Sequence, residues 1–191
     1  MTVILLRHGR STSNTAQTLA GRSEGVDLDD KGQEQARGLV GRIGTLPIRA
    51  IVRSPLLRCQ STVEPLAAAL GLEPIVEERL SEVDYGEWTG RKIGDLVKEP
   101  LWAVVQQQPS AAVFPGGEGL AHVQARAVEA FEVAVDKGVA GFGSVGGAFG
   151  QAEVPLGVVG PIVLLEVTIF IVGPGLRHAP VGVFHDLARI D

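Results

Sequence analysis

Short apolar runs alternate with longer amphipathic stretches along this chain, and this order restricts the fold more than any other feature of the sequence. Residues 3–6 form the first apolar run, and residues 50–53 form the second. Each run is followed by a stretch of helical periodicity, over residues 30–44 and residues 54–70. Because strand–helix–strand–helix order joins strands that point the same way, the sequence predicts a mainly parallel central sheet in a three-layer α/β/α sandwich.

The two predicted helices have recognisable apolar faces and ends. The face of the first consists of Ala36, Leu39, Val40 and Ile43, and that of the second consists of Leu56, Cys59, Val63, Leu66 and Leu70. Ser54 can cap the second helix, and Pro55 suits its first turn. Gly71 supplies a left-handed stop. These signals place the second helix between Ser54 and Gly71.

Weaker signals follow. Residues 73–76 predict a short strand, and residues 93–107 predict helix that Pro100 interrupts. Residues 118–137 predict a further amphipathic helix. The longest apolar stretch, residues 161–172, has 12 residues and contains a glutamate. A membrane-spanning helix needs about 20 residues, so this stretch predicts a buried strand.

Charge and cysteine content exclude several classes of protein. A net charge of −5 gives no broad positive field for sequence-independent binding of nucleic acid. Cys59 is the single cysteine, so no intrachain disulfide can form. The apolar run near the N-terminus is too short for the apolar region of a signal peptide. We therefore expect a cytoplasmic protein with neither nucleic acid nor membrane as a partner.

An Arg-His-Gly tripeptide at the end of the first predicted strand is the first candidate for chemistry. Ligands of open α/β sheets bind at the carboxyl ends of the strands. Arg7 presents paired donors that match phosphate oxygens, Gly9 lets an anion approach backbone N–H groups, and His8 could act as a nucleophile. Ser11 and Asn14 add small polar side chains. Taken alone, however, the tripeptide is better explained as a surface cation beside an ordinary loop histidine.

Other segments change that balance. They are residues 7–14 (RHGRSTSN), residues 54–62 (SPLLRCQST), residues 80–90 (LSEVDYGEWTG) and residues 115–118 (PGGE). In order and rough spacing, the four together resemble the histidine phosphatase superfamily. The resemblance covers about residues 1–137 and implies the three-layer α/β fold already predicted.

The resemblance implies a phosphoryl-transfer site that uses no metal ion and no cofactor. His8 would take the phosphoryl group onto a ring nitrogen and yield it to water in a second step. Arg7 and Arg58 would clamp the phosphoryl oxygens and offset the charge that develops during transfer. Without the family pattern, Arg58 would be interpreted as a cation on a helix surface.

The resemblance also assigns an acid and further binding residues. Glu82 matches the family's general acid, whose raised pKa lets it protonate the leaving alcohol and then help to activate water. Asp84 and Glu87 are nearby competitors for this role. Asn14 would donate a further hydrogen bond to the phosphate, and Ser11 is a second candidate for phosphate binding.

A polar loop over residues 21–32 has a counterpart in the family that borders the substrate pocket. Gly21 and Arg22 are therefore candidates for contact with substrate, although an ordinary solvated loop fits as well. Tyr85 and Trp88 could line the mouth of the pocket, but structural packing is the better explanation of both.

The family's second active-site histidine, at the end of a late strand and followed by glycine, has no match in this sequence. The other histidines are His122, His178 and His185. His122 falls on the surface of a predicted helix. His178 follows the apolar stretch over residues 161–172 and is the nearest positional substitute.

The composition changes abruptly after about residue 137. Residues 138–191 hold only six charged residues in 54, and they hold 11 of the 25 glycines. Two explanations remain open: real divergence of the C-terminal portion, or a continuation foreign to the family, as a frameshift would produce. Composition favours the second. We predict a single domain over residues 1–191, which is family-like to residue 137 and atypical beyond it.

The predicted function is hydrolysis of a small phosphorylated metabolite through a phosphohistidine intermediate. One alternative is a phosphoglycerate mutase, which returns the phosphoryl group to the substrate. Only 32 residues separate Glu82 from Pro115, whereas the family's mutases usually carry a longer insertion there. A further alternative is a non-catalytic protein that binds a phosphorylated ligand or a protein partner, and the missing histidine supports it. The oligomeric state, a homo-oligomer included, is left open.

Overall fold

Four strands form the described part of a central sheet. The computed structural model describes residues 2–138 and 167–172 of the chain. The strands are β1 (Thr2–Arg7), β2 (Ile48–Arg53), β3 (Ile75–Val76) and β4 (Val167–Val172), in the spatial order β1-β4-β2-β3. β4 pairs antiparallel with β1 and with β2, and β3 pairs parallel with β2. Three of the four described strands point the same way, which confirms the predicted mainly parallel sheet.

Helices connect and flank these strands. In the described ranges they are α1 (Thr12–Ala16), α2 (Asp30–Ile43), α3 (Leu57–Leu70), α4 (Ile93–Leu96), α5 (Pro100–Gln107) and α6 (Leu120–Gly138). Short 3₁₀ segments occur at Glu78–Leu80, Gly86–Trp88 and Pro109–Ala111. No helix in this part of the chain is long and apolar enough to cross a bilayer.

The alternating side chains of β1 show the three layers directly. Ile4 and Leu6 lie in one apolar cluster with residues of α2 and α3, whereas Val3 and Leu5 pack in another cluster with residues of α6. Successive strand residues point to opposite faces of a sheet. Helices therefore cover both faces, and the predicted α/β/α sandwich is confirmed.

The predicted start of the helix after β2, with Ser54 as its cap, was two residues early. α3 begins at Leu57, and Leu56 occupies the N-cap position with extended backbone and no side-chain cap. Ser54 is buried before the helix, where its Oγ accepts a hydrogen bond from the N–H of Leu56 at 3.4 Å. The extended backbone of Leu56 delays the first helical residue to Leu57. The predicted stop is confirmed, since Gly71 has a φ of 65° in the left-handed region.

The later elements follow the predicted pattern with shifted bounds. The segment 93–107 divides into α4 and α5, and Pro100 occupies the first turn of α5. The strand in 73–76 is reduced to β3, and the long helix predicted from residue 118 begins at Leu120. A strand is present in the apolar stretch 161–172, over the bounds of β4, and residues 161–166 lie outside the described residues.

Candidate active site

The carboxyl end of β1 places two of the predicted site residues beside α3. Arg7 is the last residue of β1 and His8 follows it, while Arg58 lies in the first turn of α3, which follows β2. The charges of Arg7, Arg58 and Glu82 all act on the His8 ring. The fold thus brings together four side chains that are up to 75 residues apart in sequence.

The His8 imidazole is held neutral and in a defined orientation. Its Nδ1 lies 2.6 Å from the carbonyl oxygen of Gly9, so Nδ1 carries the proton and Nε2 the lone pair of the neutral ring. Burial lowers the pKa of His8 to about 4, and the positive charges of Arg7 and Arg58 act in the same direction. At neutral pH the ring is therefore uncharged and has its lone pair on Nε2.

The loop after His8 fits closely against α2 and α3. A Cβ on Gly9 would lie 2.8 Å from the backbone oxygen of Gly32, so only glycine allows this approach. The N–H of Gly9 donates to Thr62 Oγ1 at 3.0 Å, and the Thr62 hydroxyl donates to the carbonyl of Arg58 at 2.6 Å. The nucleophile loop and the helix that carries Arg58 are thereby joined through one buried hydroxyl.

Two guanidinium groups give the site a positive charge that burial makes costly. Arg58 is 2% exposed, and its Nη2 donates to the carbonyl of Gly21 at 2.7 Å. Burial lowers the pKa of both Arg7 and Arg58, against the attraction of Glu82. The Nε of Arg7 is buried without a hydrogen-bond partner among the described residues. An anion would offset these charges and supply the acceptor that this atom lacks.

Glu82 is the buried acid of the site. Its side chain is 2% exposed, and its Oε1 accepts hydrogen bonds from the N–H of Val83 at 2.7 Å and from the Tyr85 hydroxyl at 3.4 Å. Burial raises the pKa of Glu82, which favours a protonated carboxyl. Asp84 instead accepts from the N–H of Gly86 at 3.0 Å. Glu87 is exposed and Asp84 is partly buried, so Glu82 is the buried carboxyl of the three, and its role as the acid stays a prediction.

Ser11 and Asn14 are engaged in the cap of α1. The Ser11 hydroxyl accepts from the N–H of Asn14, and Asn14 Oδ1 accepts from the N–H of Ser11 at 2.9 Å, which together form a capping box. Ser11 is fully buried and also bonds Ser13 Oγ at 2.8 Å. The cap uses the side-chain oxygen of Asn14, and its amide nitrogen is the group that could donate to a ligand. Phosphate binding by either residue stays a prediction.

Gly21 and Arg22 contact site residues rather than standing in an open loop. Gly21 has a φ of 52° and accepts from Arg58. Arg22 Nε donates to the carbonyl of Glu82 at 2.8 Å, and Arg22 Nη2 donates to Glu118 Oε2 at 2.8 Å. Contact of either residue with substrate stays a prediction.

Two aromatic residues near the candidate site have the packing role that the sequence favours. Tyr85 and Trp88 are both buried, and each makes an edge contact with Phe114.

His122 lies on the surface of α6, with 71% of its side chain exposed, as predicted. His178 and His185 lie outside the described residues, so the substitute histidine stays a prediction.

Arg126 of α6 is a site-supporting residue that sequence reasoning missed. Its Nη1 donates to the carbonyls of Arg79 at 2.6 Å and Ser81 at 2.7 Å, and its Nη2 donates to that of Glu82 at 3.1 Å. It also pairs with Glu118, whose carboxylate accepts from Nη2 at 2.9 Å. Burial opposes ionisation of Glu118, but the hydrogen bonds from Arg126 and from the N–H of Asp84, together with the charges of Arg126 and Arg22, outweigh it and lower the pKa of Glu118. One guanidinium therefore anchors the segment that ends in the buried acid.

Removal of this anchor should destabilise the protein. We expect Arg126→Met to lower the free energy of unfolding by about 3 kcal/mol, because the carbonyls of Arg79 and Ser81 lose this charged donor and Glu118 keeps only Arg22 as a charged donor. Urea unfolding followed by circular dichroism measures the change. Arg37→Met, at an exposed position of α2, is the matched control and should change it little. Equal stability of the two variants would contradict an anchoring role.

The sequence and the fold both match known proteins. Residues 3–141 match the profile described as the histidine phosphatase superfamily (branch 1). Phosphoserine phosphatase 1 of Hydrogenobacter thermophilus is 33% identical over 132 residues, which cover 65% of this chain and 59% of that protein. A probable phosphoglycerate mutase GpmB of Erwinia tasmaniensis is 31% identical over 133 residues, which cover 68% of this chain and 61% of that protein. The chain thus spans about three fifths of the length of these relatives.

A solved structure has the same fold. The mycobacterial glucosyl-3-phosphoglycerate phosphatase Rv2419c, in complex with VO3, superposes with a TM-score of 0.64 at 25% identity. The superposition covers 72% of this chain and 69% of that chain. These matches show what the chain is similar to in sequence and in fold.

Proposed function

This chain belongs to the histidine phosphatase superfamily, as its motifs predict, and on that premise we propose that it hydrolyses phosphomonoesters through a phosphohistidine formed on His8. The observation that carries this proposal is the electrostatic arrangement at the strand end. A neutral imidazole with its lone pair on Nε2 lies under the influence of two buried guanidinium groups and a buried carboxyl of raised pKa. These are a nucleophile, a phosphoryl clamp and a proton donor.

The first step transfers the phosphoryl group to the protein. His8 Nε2 attacks phosphorus, the bond from phosphorus to the ester oxygen breaks, and its electron pair goes to that oxygen. Glu82 donates its proton to the departing alcohol. Arg7 and Arg58 offset the negative charge on the phosphoryl oxygens, and the carbonyl of Gly9 stabilises the positive charge of the substituted ring through Nδ1–H.

The second step returns the protein to its starting state. The ionised Glu82 takes a proton from water, and the water oxygen attacks phosphorus. The bond between phosphorus and Nε2 breaks, its electron pair returns to the ring, and inorganic phosphate forms. Protonated Glu82 and neutral His8 are then ready for another cycle.

The names of the relatives guide the choice of substrate. Phosphoserine, phosphoglycerate and glucosyl-3-phosphoglycerate are small phosphate esters that also carry a carboxyl group. We propose that the substrate is a small phosphorylated metabolite, and these esters are the first compounds to test.

Phosphoglycerate mutase activity is the second candidate, favoured by the relatives that carry that name. The short segment between Glu82 and Pro115 argues against it, because it contains only α4, α5 and two 3₁₀ turns. Incubation with 3-phosphoglycerate distinguishes the two. Stoichiometric release of phosphate supports hydrolysis, whereas interconversion of phosphoglycerates with little phosphate release supports the mutase.

Phosphate release from p-nitrophenyl phosphate at pH 5 to 8, with a chelator present, tests the main proposal. We expect turnover that the chelator does not reduce, because the guanidinium groups supply the positive charge. Loss of turnover in chelator would contradict the metal-free mechanism. A folded protein that shifts its melting temperature with phosphate but shows no turnover would support the binding protein instead.

The effect of replacing Glu82 on the rate should depend on the leaving group and on pH. We expect Glu82→Gln to lower hydrolysis of an alkyl phosphate by about 100-fold, because an alkoxide leaves poorly without a proton. Hydrolysis of p-nitrophenyl phosphate should fall less, since its leaving group is stable as an anion. The wild-type rate should fall at low pH as His8 is protonated, around its pKa of about 4, and at high pH as Glu82 ionises.

In Glu82→Gln the high-pH decline should disappear while the low-pH decline remains. Glu87→Gln, at an exposed acid of the same segment, is the matched control and should behave as wild type. An unchanged high-pH decline in Glu82→Gln would assign the acid to another residue.

A further inference from the structure

The peptide that joins Gly9 to Arg10 is held at both of its polar atoms by side chains. Its carbonyl oxygen accepts from His8 Nδ1 at 2.6 Å. Its N–H donates to the side-chain oxygen of Gln35, Oε1, at 2.8 Å. In a trans peptide the C=O and N–H bonds point in opposite directions, so a partner that fixes the N–H also fixes the carbonyl. The hydrogen bond to Gln35 therefore also helps to hold the carbonyl that faces the His8 ring.

The neighbouring contacts hold the backbone on either side of this peptide. The preceding peptide is fixed by its hydrogen bond to Thr62 Oγ1. The following carbonyl, that of Arg10, accepts from the N–H of Asp29 at 3.0 Å. Between these two anchors, Gln35 is the side chain that holds the N–H of Arg10. It projects from the second turn of α2, which packs against α3, so its own backbone is firmly placed.

We propose that Gln35 is a positioning residue that keeps His8 in the tautomer with its proton on Nδ1 and its lone pair on Nε2. This inference rests on the proposed function, because it assigns to Gln35 the preparation of the nucleophile. Without the Gln35 acceptor, the peptide can rotate to give its N–H to water, and its carbonyl then turns away from the ring. A neutral imidazole without that acceptor distributes its proton over both nitrogens, and a proton on Nε2 blocks attack on phosphorus.

Ring ¹⁵N chemical shifts of His8 at pH 7 test this directly in the full chain. We expect wild type to show one neutral tautomer with Nε2 unprotonated, and Gln35→Met to add a population protonated at Nε2. We expect kcat for p-nitrophenyl phosphate to fall about tenfold with KM unchanged, as for other partners that orient a reacting histidine. Gln35→Glu keeps an acceptor oxygen and should restore both the single tautomer and kcat.

Gln33→Met is the matched control, since Gln33 is exposed on the same helix, and it should leave both readouts as in wild type. Gln35→Ala replaces Gln35→Met if the latter does not fold. An unchanged tautomer population in a folded Gln35 variant overturns the proposal, as does a wild-type ring protonated on Nε2. The ¹⁵N measurement needs no turnover. Inactive wild-type protein would therefore overturn the proposed function, while the tautomer populations would still decide the role of Gln35.

Discussion

Replacement of His8 by alanine should abolish phosphate release, with a loss in kcat/KM for p-nitrophenyl phosphate of at least about 10⁴-fold. The expected loss is this large because the imidazole supplies the bond to phosphorus in both steps. The arginines and Glu82 would remain but would have no nucleophile to assist. Initial rates with an excess of purified variant, which detect slow residual turnover, measure the effect.

His122→Ala is the matched control for this experiment. His122 is exposed on α6 and far in sequence from the nucleophile loop, so the variant should retain the wild-type rate. A His8→Ala protein that is folded and retains more than a tenth of the wild-type rate would rule out the phosphohistidine. In that case a group other than His8 would attack phosphorus.

The His8→Ala variant should also show how the buried neutral ring affects the stability of the folded protein in acid. The folded-state pKa of His8, about 4, lies below the ordinary value of 6.5, so below pH 6.5 the unfolded chain binds a proton that the folded protein resists. The contribution of His8 to stability is therefore lost progressively as pH falls from about 6.5 to about 4. Wild type should lose more stability than His8→Ala over this range.

The local spacing of apolar residues was sufficient to predict the layers of the fold, because it shows which side chains must be buried. The 3- and 4-residue spacing in residues 30–44 placed α2 within one residue of its observed bounds. The start of α3 was misplaced because Ser54 and Pro55 satisfy the local rules for a helix start. The helix nevertheless begins at Leu57, after a residue with extended backbone. The direction of β4 could not be predicted, because strand pairing depends on connections that leave no local periodicity.

The candidate site divides in the same way. Arg7, His8, Arg58 and Glu82 were found from motifs whose order resembles a family. Arg126 was missed because its partners are mostly backbone carbonyls, which every residue possesses and which become partners only when α6 packs beside the acid segment. Gln35 was missed for the same reason, since its partner is a backbone N–H 25 residues away.

The histidine expected to complete the family's site is a separate matter. The family match ends at residue 141, close to the point at which composition changes. His178, the nearest substitute in sequence, lies outside the described residues. The two explanations of the C-terminal composition therefore stay open, and activity of the full chain is the measurement on which they differ.

Replacement of the buried Arg58 should lower activity strongly while changing the stability of the unliganded protein little. We expect Arg58→Met to lower kcat/KM by about 10³-fold, because one preorganised charge donor to the transferring group is lost. Without ligand, its melting temperature should stay within a few degrees of wild type. The variant loses the hydrogen bond from Arg58 Nη2 to Gly21, which is worth about 1–3 kcal/mol, but it also removes a buried charge whose pKa burial lowers.

The rise in melting temperature caused by inorganic phosphate should differ between wild type and Arg58→Met. At 100 times its Kd, phosphate stabilises the native state by about 2.7 kcal/mol, which corresponds to a rise of roughly 5–10 °C in the melting temperature of a chain of this size. We expect this rise in wild type and in Arg42→Met, an exposed control on α2, but not in Arg58→Met. A full phosphate shift in Arg58→Met would show that the anion binds elsewhere. A collapse of its unliganded stability would show that Arg58 serves the fold more than the site, because a residue retained mainly for phosphate should cost the empty protein little when it is lost.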